Sequence, residues 1–266
     1  MRLCSIASGS SGNCIYVGSD TTHLLVDDGI AGKRVEAGLK ELDLCFRDLD
    51  GVLITHEHSD HIGGLGVLLR KHAMPVYCTE GTRDAILCCS SMGKVDPELF
   101  HLIRPDEKFT IRDITVDPMR ISHDAADPVA YRFLYGKQKI AVVTDLGKYD
   151  EYTVDCLKNT DVLMLEANHD VRMLESGPYP YQLKRRILGD RGHLSNDSSG
   201  ELLCRLLHDN MKAVILGHLS KENNMPEIAY ETVRQSVDHS EIPYMSSDFK
   251  MLVAKRSEVT QAIDLG

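Results

Sequence analysis

The chain of 266 residues lacks tryptophan, Cys-X-X-Cys pairs and long apolar runs. The absence of tryptophan says nothing about function. The eight cysteines occur singly apart from Cys88-Cys89, and no Cys-X-X-Cys pair is present. This usage argues against a disulfide framework and is typical of a reduced intracellular protein. The apolar N-terminal stretch, Met1–Ile6, is too short for a signal peptide or a membrane span. We therefore predict a cytoplasmic protein without a membrane partner.

Linkers rich in proline, serine or glycine, low-complexity segments and repeats of fixed period are also absent. The 42% of apolar residues is ample for a layered core, and α/β folds of this length often form one domain. We therefore predict a single domain over residues 1–266. The net charge of −10 argues against binding nucleic acid over the whole surface, although it leaves room for a local site. The oligomeric state stays open, with a dimer as one option.

Hydrophobic periodicity predicts an alternation of short strands and helices. Strands are expected within residues 2–28, 49–55, 74–78, 99–144, 161–165 and 212–216. Helices are expected at residues 31–44, 61–72, 80–92, 149–158 and 182–188, and from a cap at Ser195 or Asn196 to about His208.

The most informative stretch directly follows the apolar run Gly51–Ile54 and contains His56, His58, Asp60 and His61. Nitrogen ligands with one hard oxygen suit zinc, manganese or iron better than calcium. Alternate residues of an extended loop point the same way, so His56 and His58 can reach one metal while Asp60 and His61 turn toward a second. A solvated polar loop would rarely place four such side chains behind a buried strand.

Further candidates follow other predicted strands. His123, Asp145 and His218 each come after an apolar run, as metal ligands at strand ends should. Taken alone, His123 is equally consistent with a turn residue. The small residues of Ser8–Asn13 allow a sharp turn that could bring N–H groups close to an anion or a metal-bound ligand, although an ordinary hairpin turn explains them as well.

These motifs resemble the metallo-β-lactamase superfamily, whose His-X-His-X-Asp-His signature matches residues 56–61. Four more specific phrases resemble the WalJ/YycJ (VicX) branch of bacterial exonucleases. They are LEANHD at Leu165–Asp170, GPYP at Gly177–Pro180, GHLSN at Gly192–Asn196 and HLSKENN at His218–Asn224. The opening phrase SGSSGN at Ser8–Asn13 is similar to that branch too, which favours a role near the site.

The resemblance implies a four-layer αββα sandwich, an α/β fold that binds two divalent metal ions. Zinc or manganese is expected, with iron as a third option. By resemblance, one metal would be bound by His56, His58, His123 and Asp145, and the other by Asp60, His61, Asp145 and His218. Asp145 can bridge because a carboxylate has two oxygens. A water between the metals would lose a proton and act as the nucleophile.

The resemblance also implies roles behind and beside the metals. Asp27, at the end of the first motif, would brace the histidine loop through hydrogen bonds, while Asp28 replaces a small residue usually found there. His169 would support the ligands from outside. We assign catalytic roles to three residues: Asp60, Glu166 and His193. In related nucleases a Glu–His pair places a charged imidazole near the leaving group; the alternative for His193 is a plain turn residue before a helix.

Candidate substrate-binding residues flank this pair. The densest basic cluster is Lys184, Arg185 and Arg186, near Arg191 and beside Tyr179 and Tyr181. Basic groups beside aromatic rings suit a phosphate backbone and a stacked base, although a solvated helix face is the commoner explanation. Ser220, Lys221 and Asn224, which follow His218, could also contact substrate.

Metal-assisted hydrolysis of a phosphodiester is the expected reaction. By resemblance, the substrate is double-stranded DNA, the mode is 5′-to-3′ exonuclease, and the role is DNA repair.

The alternatives are a small-molecule or cyclic-nucleotide phosphodiesterase and a ribonuclease Z-like RNA nuclease, whose long basic arm has no counterpart here. A glyoxalase II-like thioester hydrolase fits less well, because the tail from residue 225 offers little more than one helix and a strand. A flavodiiron oxidoreductase would need Glu in place of His58. A β-lactamase would be secreted, and a non-catalytic regulator would have lost ligands.

Overall fold

The structure is a computed structural model that describes residues 1–266. It contains two seven-stranded sheets. In chain order, the strands are β1 (Arg2–Ala7), β2 (Cys14–Gly18), β3 (His23–Val26), β4 (Gly51–Leu53), β5 (Val76–Cys78), β6 (Phe100–Leu102), β7 (Phe109–Ile111), β8 (Ile114–Arg120), β9 (Val129–Tyr135), β10 (Gln138–Val143), β11 (Val162–Glu166), β12 (Ala213–Gly217), β13 (Lys250–Val253) and β14 (Ile263–Asp264). The first sheet has the order β14-β1-β2-β3-β4-β5-β6, and the second has the order β13-β12-β11-β10-β9-β8-β7.

Nine α-helices accompany the sheets. They are α1 (Gly32–Glu41), α2 (Ser59–Ile62), α3 (Leu65–His72), α4 (Glu80–Cys88), α5 (Glu151–Leu157), α6 (Val171–Ser176), α7 (Tyr181–Ile187), α8 (Asn196–Leu206) and α9 (Pro226–Asp238). Short 3₁₀ turns lie at Phe46–Asp48, Ser90–Met92, Pro97–Leu99 and Ser246–Asp248. None of the helices is both long and apolar enough to cross a membrane.

The period-two alternation of the strands divides the core into three layers. Along β3, Leu24 and Val26 join a cluster shared by both sheets, whereas Leu25 joins a cluster between the first sheet and its helices. Along β11, Leu163 and Leu165 face the helices of the second sheet, and Met164 faces the first sheet. The predicted four-layer αββα sandwich is therefore confirmed.

One predicted helix is interrupted and another ends earlier than expected. The helix predicted over residues 61–72 is divided between α2 and α3 at Gly63-Gly64, where the main chain packs so closely that a Cβ on Gly64 would lie 2.1 Å from the carbonyl oxygen of Ile30. The helix predicted over residues 80–92 gives way to a 3₁₀ turn after Cys88. At α8 the cap is Ser195, whose side chain accepts from the N–H of Ser198.

Parallel pairing positions the site. Strands β3 to β6 are mutually parallel, as are β10 to β13. The carboxyl ends of parallel strands meet at one edge of a sheet, and polar side chains at such ends form the usual ligand crevice of α/β folds. Asp27 and His218 directly follow β3 and β12, Asp145 lies two residues after the end of β10, and Glu166 ends β11. These side chains, distant in sequence, therefore converge.

Candidate metal centre

Every residue predicted to bind metal lies in one buried cluster at these strand ends. They are His56, His58, Asp60, His61, His123, Asp145 and His218. The cluster contains overlapping groups whose potential ligand atoms lie within 4.8 Å of one another, such as His56, His58 and His123, or Asp60, His61 and His218. Such spacing is short enough for one cation to contact each group.

Asp27 and Thr55 hold the histidine loop from behind. His61 donates from Nδ1 to Oδ2 of Asp27 over 2.7 Å. The Thr55 hydroxyl donates to the same carboxylate, and its main-chain N–H donates to Oδ1 over 2.8 Å. The Thr55 Oγ1 atom also lies 3.0 Å from Nδ1 of His56. These contacts fix both imidazole rings so that their Nε2 atoms face the cluster.

The other imidazoles are oriented by a carbonyl and a carboxylate. His123 donates from Nδ1 to the carbonyl of Gly192 over 3.1 Å, and His218 donates from Nδ1 to Oε1 of Glu166 over 2.7 Å. The free Nε2 of His123 lies 3.3 Å from Nδ1 of His58. Hence His58 turns its Nδ1 atom inward, while the other histidines offer Nε2.

Three of the site residues have left-handed backbones. The φ angles of Asp27, Asp145 and His218 are 63°, 59° and 55°. This region costs a residue with a Cβ about 1–2 kcal/mol, and such strain collects at functional sites. Each residue lies within two positions of the end of a strand, so the left-handed turn redirects the chain where the side chain enters the cluster.

The donor set fits divalent cations. Nε2 of His56 and Oδ2 of Asp145 are buried and make no hydrogen bond, although Oδ2 lies 3.1 Å from Nε2 of His61. Buried polar atoms normally have partners, so these two atoms point to an ion between them. Burial lowers the pKa of His218, but the charge of Asp145 and hydrogen bonds to Asp60 and Glu166 outweigh it and raise that pKa to about 10. The cluster therefore favours added positive charge.

Glu166 connects two histidines. Its Oε1 accepts from Nδ1 of His193 over 2.9 Å and from Nδ1 of His218 over 2.7 Å. Its Oε2 accepts the main-chain N–H groups of Leu146 and Leu194 over 2.8 and 3.1 Å. Burial raises the pKa of Glu166, but the two histidines and their hydrogen bonds hold it below its usual range. With both oxygens engaged, Glu166 positions its partners, whereas 15% of the His193 side chain remains exposed.

His169 lies outside the cluster of candidate metal ligands. Its side chain is buried, its Nδ1 lies 3.3 Å from Oδ1 of Asn168, and its Nε2 has no partner. Burial lowers the pKa of His169 to about 4, so the ring is neutral. Its carbonyl accepts from the N–H of Asn196, at the start of α8, over 2.9 Å. His169 thus ties the loop after β11 to the helix that follows His193.

The three residues of the predicted basic cluster have different partners in the structure. Arg186 forms a two-point ion pair with Asp124, the residue after His123. Lys184 instead donates to the carbonyl of Glu175, and the guanidinium of Arg185 lies 6.0 Å from the ring centroid of Tyr181. Of these three side chains, Arg186 is the one that reaches the residues beside the metal cluster.

The loop after His218 also differs from expectation. The Asn224 amide is buried and donates to the carbonyl of Ala167 over 2.9 Å and to Oδ1 of Asn196 over 2.8 Å. Ser220 is buried too, and its hydroxyl oxygen accepts from the N–H of Asn223. These two side chains hold the loop and are not available to substrate. Lys221, in contrast, is exposed.

Sequence reasoning missed several supporting residues. Nδ2 of Asn13 lies 3.2 Å from Nε2 of His61, and the Ser8 hydroxyl accepts the main-chain N–H of His218 over 2.8 Å. A Cβ on Gly29 would lie 1.7 Å from the carbonyl oxygen of Asp60, so only glycine permits this approach to the histidine loop. The Ser8–Asn13 phrase was the available signal, and its place at the site is now explained by these contacts.

Asp28 is an unusual neighbour of the site. Both carboxylate oxygens are buried and have no hydrogen-bond partner. Burial, reinforced by the charge of Asp27, raises the pKa of Asp28 from 3.8 to about 7. An unpaired buried carboxylate destabilises the folded state when it ionises.

Comparisons with known proteins agree with this geometry. Residues 32–218 match the family model of the beta-lactamase superfamily domain. The chain is 42% identical over 246 residues to the exodeoxyribonuclease WalJ of Streptococcus pneumoniae serotype 2, covering 92% of this chain and 91% of that protein. It is 41% identical over 233 residues to the exodeoxyribonuclease YycJ of Bacillus anthracis, covering 88% of each.

A solved structure shows the same fold over nearly the whole chain. The metallo-beta-lactamase fold protein YhfI from Bacillus subtilis superposes with a TM-score of 0.71 at 18% identity, covering 97% of this chain and 98% of that one. The prediction of a metal-dependent hydrolase is confirmed by this family membership. The chain belongs to the metallo-β-lactamase superfamily and, within it, to the family that contains WalJ and YycJ.

Proposed function

We propose that this protein is a dinuclear-metal phosphodiesterase that degrades double-stranded DNA from its 5′ ends. The observation that carries the proposal is the His193–Glu166 pair beside a cluster of metal-ligand side chains. The carboxylate holds Nδ1 of the imidazole, and the partly exposed ring leaves Nε2 available to a phosphate oxygen. The names of the two relatives, each similar over most of its length, support DNA as the substrate.

The ligand assignment rests on the resemblance, and two groups of converging atoms support it: His56, His58 and His123, and Asp60, His61 and His218. His56, His58, His123 and Asp145 would hold one cation, and Asp60, His61, Asp145 and His218 the other. The imidazole nitrogens and carboxylate oxygens suit zinc, manganese or iron. When bound, such cations supply Lewis-acid stabilisation of phosphate charge and activate water.

The protein's own residues complete the chemistry. Glu166 accepts the Nδ1 proton of His193, and in the doubly protonated ring the second proton, on Nε2, can be donated to a phosphate oxygen or to the departing oxygen. A departing alkoxide that receives this proton leaves as a neutral alcohol. Asp27 and Thr55 keep the ligand rings in place, so little reorganisation is needed during the reaction.

Charge around the site favours a polymer of phosphates. The net charge is −10, and Arg186 is paired with Asp124, the residue after His123; the exposed residues Arg185 and Lys221 lie near His193 and His218 in the sequence and supply further positive charge. A local basic surface on an acidic protein can bind a nucleic-acid backbone while the remaining surface repels it.

The test is a nuclease assay on metal-stripped protein supplied with zinc or manganese. Duplex DNA labelled at the 5′ end should release labelled mononucleotides from the start, whereas 3′-labelled duplex should give a shortening ladder. Asp145→Asn, which removes the shared ligand, should abolish both. No cleavage of DNA, with continued hydrolysis of bis-p-nitrophenyl phosphate, would replace the proposal by a small-molecule phosphodiesterase.

A further inference from the structure

A guanidinium from the C-terminal segment also reaches the site. Strand β13 lies parallel to β12, so the residues after both strands emerge at the same edge. The N–H of Ala254 donates to the carbonyl of Leu216 over 2.7 Å, and the carbonyl of Lys255 accepts from the N–H of Ser8 over 3.2 Å. The next residue, Arg256, therefore lies beside the loops that follow β1 and β12.

The contacts of Arg256 place it against the supports of the metal ligands. Its Nη2 donates to the carbonyl of Leu219, the residue after His218, over 2.9 Å, and its Nη1 donates to the Ser11 hydroxyl over 3.2 Å. A Cβ on Gly9 would lie 2.9 Å from Nη1, so glycine makes room for the guanidinium. The neighbouring Asn13 accepts from the N–H of Gly9 through Oδ1.

Arg256 keeps donors for a ligand. The guanidinium has five N–H groups, two of which are used in these contacts, and no carboxylate oxygen lies within 4.0 Å of it. Of the other guanidinium groups near the cluster, Arg186 is paired with Asp124, and Arg191 donates from Nε to the carbonyl of His123 over 3.1 Å. Burial lowers the pKa of Arg256, whereas the charges of Glu222 and Tyr179 act in the opposite direction, and the group stays charged at neutral pH.

We propose that Arg256 binds a second phosphate group of the substrate, next to the phosphate that is hydrolysed at the metal cluster. The planar fork of a guanidinium matches two phosphate oxygens. The two groups that it contacts, a carbonyl and a hydroxyl, are neutral, so the positive charge is available to an anion. This inference rests on the proposed phosphodiesterase function and deepens it. The second phosphate belongs either to the next internal linkage of the strand or to a terminal phosphate.

The experiment compares two substrates in the metal-loaded enzyme. Bis-p-nitrophenyl phosphate carries one phosphate, and an oligonucleotide duplex carries many. In Arg256→Ala, the ratio of kcat/KM for the duplex to kcat/KM for the small ester should fall by about tenfold or more. The slope of log kcat/KM against log salt should become shallower by about 0.7 to 0.9, the value for one lost phosphate contact.

A matched control is Arg70→Ala, because Arg70 also donates to a main-chain carbonyl, that of Met92, but lies at the end of α3 away from the ligand loops. It should leave the ratio and the salt slope unchanged. Arg256→Lys keeps the charge and loses the fork, so it should retain most of the salt slope while the ratio falls. If Arg256→Ala does not fold, Arg256→Lys alone provides the test.

The outcomes separate the two proposals. An unchanged ratio in Arg256→Ala or Arg256→Lys, with DNA cleavage intact in the unaltered enzyme, overturns the role of Arg256 alone. Failure of the unaltered enzyme to cleave DNA, with the small ester still hydrolysed, overturns both proposals. A loss confined to duplexes with a 5′-phosphate identifies a terminal phosphate, and an equal loss with 5′-hydroxyl ends identifies an internal linkage.

Discussion

Nδ1 of His193 lies 2.9 Å from Oε1 of Glu166, and the same oxygen accepts a hydrogen bond from His218. One buried carboxylate thus links a proposed metal ligand to the residue proposed to act on the leaving group. The two histidines share a partner, but His193 alone retains an exposed edge. Changes to Glu166 and to His193 should therefore have different consequences.

Removal of the His193 ring should affect turnover and leave the metals in place. For His193→Ala we expect kcat on a phosphodiester to fall by about 100- to 10,000-fold, the usual contribution of a positioned acid. Metal content measured by atomic emission should stay unchanged. His239→Ala, at an exposed histidine after α9, is the control and should keep full activity. Loss of metal from the first variant would instead identify His193 as a ligand.

Glu166→Gln should weaken both the metal site and the fold. A neutral amide cannot stabilise positive charge on two imidazoles. If its NH₂ group replaced Oε2, it would face the main-chain N–H groups of Leu146 and Leu194, and two donors cannot form a hydrogen bond. Breaking such a buried charged network costs about 3–5 kcal/mol. Chemical unfolding of the metal-free protein measures this loss. Glu231→Gln, which removes a surface ion pair with Arg234, provides the comparison. Equal stability of the two variants would contradict the shared role of Glu166.

Asp27→Asn should lower metal affinity without removing a ligand. Asp27 accepts from His61 and Thr55, and loss of an orienting partner typically costs 10- to 100-fold (about 1–3 kcal/mol) in affinity. Competition with a chromophoric chelator gives the affinity directly. Asp113→Asn is the matched control, since Asp113 also accepts from hydroxyl groups but lies away from the cluster. The idea fails if the two variants bind metal equally well.

In the metal-free protein, thermal stability should decrease as the pH rises above neutrality. The pKa of His218 is raised from 6.5 to about 10 in the metal-free fold. A raised pKa contributes stability that is complete below pH 6.5 and is lost as the pH rises toward 10. The Tm of chelator-treated protein should therefore fall across this window, whereas metal-loaded protein should change less. A Tm that rises with pH in the chelator-treated protein would exclude this explanation.

Asp28→Asn should stabilise the protein near neutral pH. The pKa of Asp28 is raised from 3.8 to about 7, so the folded state retains a proton that the unfolded state releases. Stability is therefore lost as the pH rises from 3.8 to 7. The difference in Tm between the variant and the unaltered protein should grow over that range. A constant difference would show that Asp28 has an unrecorded partner.

Much of the site was predictable because its chemistry is local. The proposed ligands His56, His58, Asp60 and His61 lie within six residues, shortly after a buried strand, so their convergence needs no knowledge of long-range packing. The phrases around Asp145 and His218 also mark strand ends by apolar runs that stop at polar residues. The break in the helix at Gly63-Gly64 could not be predicted from the local sequence, because the close approach there depends on the neighbouring loop at Ile30.

The sequence by itself determined the alternation that builds two sheets and the ligand types that suit a cation. Only the tertiary structure decided which nitrogen of each imidazole faces the cluster, since hydrogen bonds from distant segments fix the rings. The tertiary structure also decided that Glu166 accepts a hydrogen bond from His218, that Asn224 stabilises a loop, and that Arg256 lies beside Leu219. The physical reason is parallel pairing: neighbouring strand ends meet at one edge even when long stretches of chain separate them.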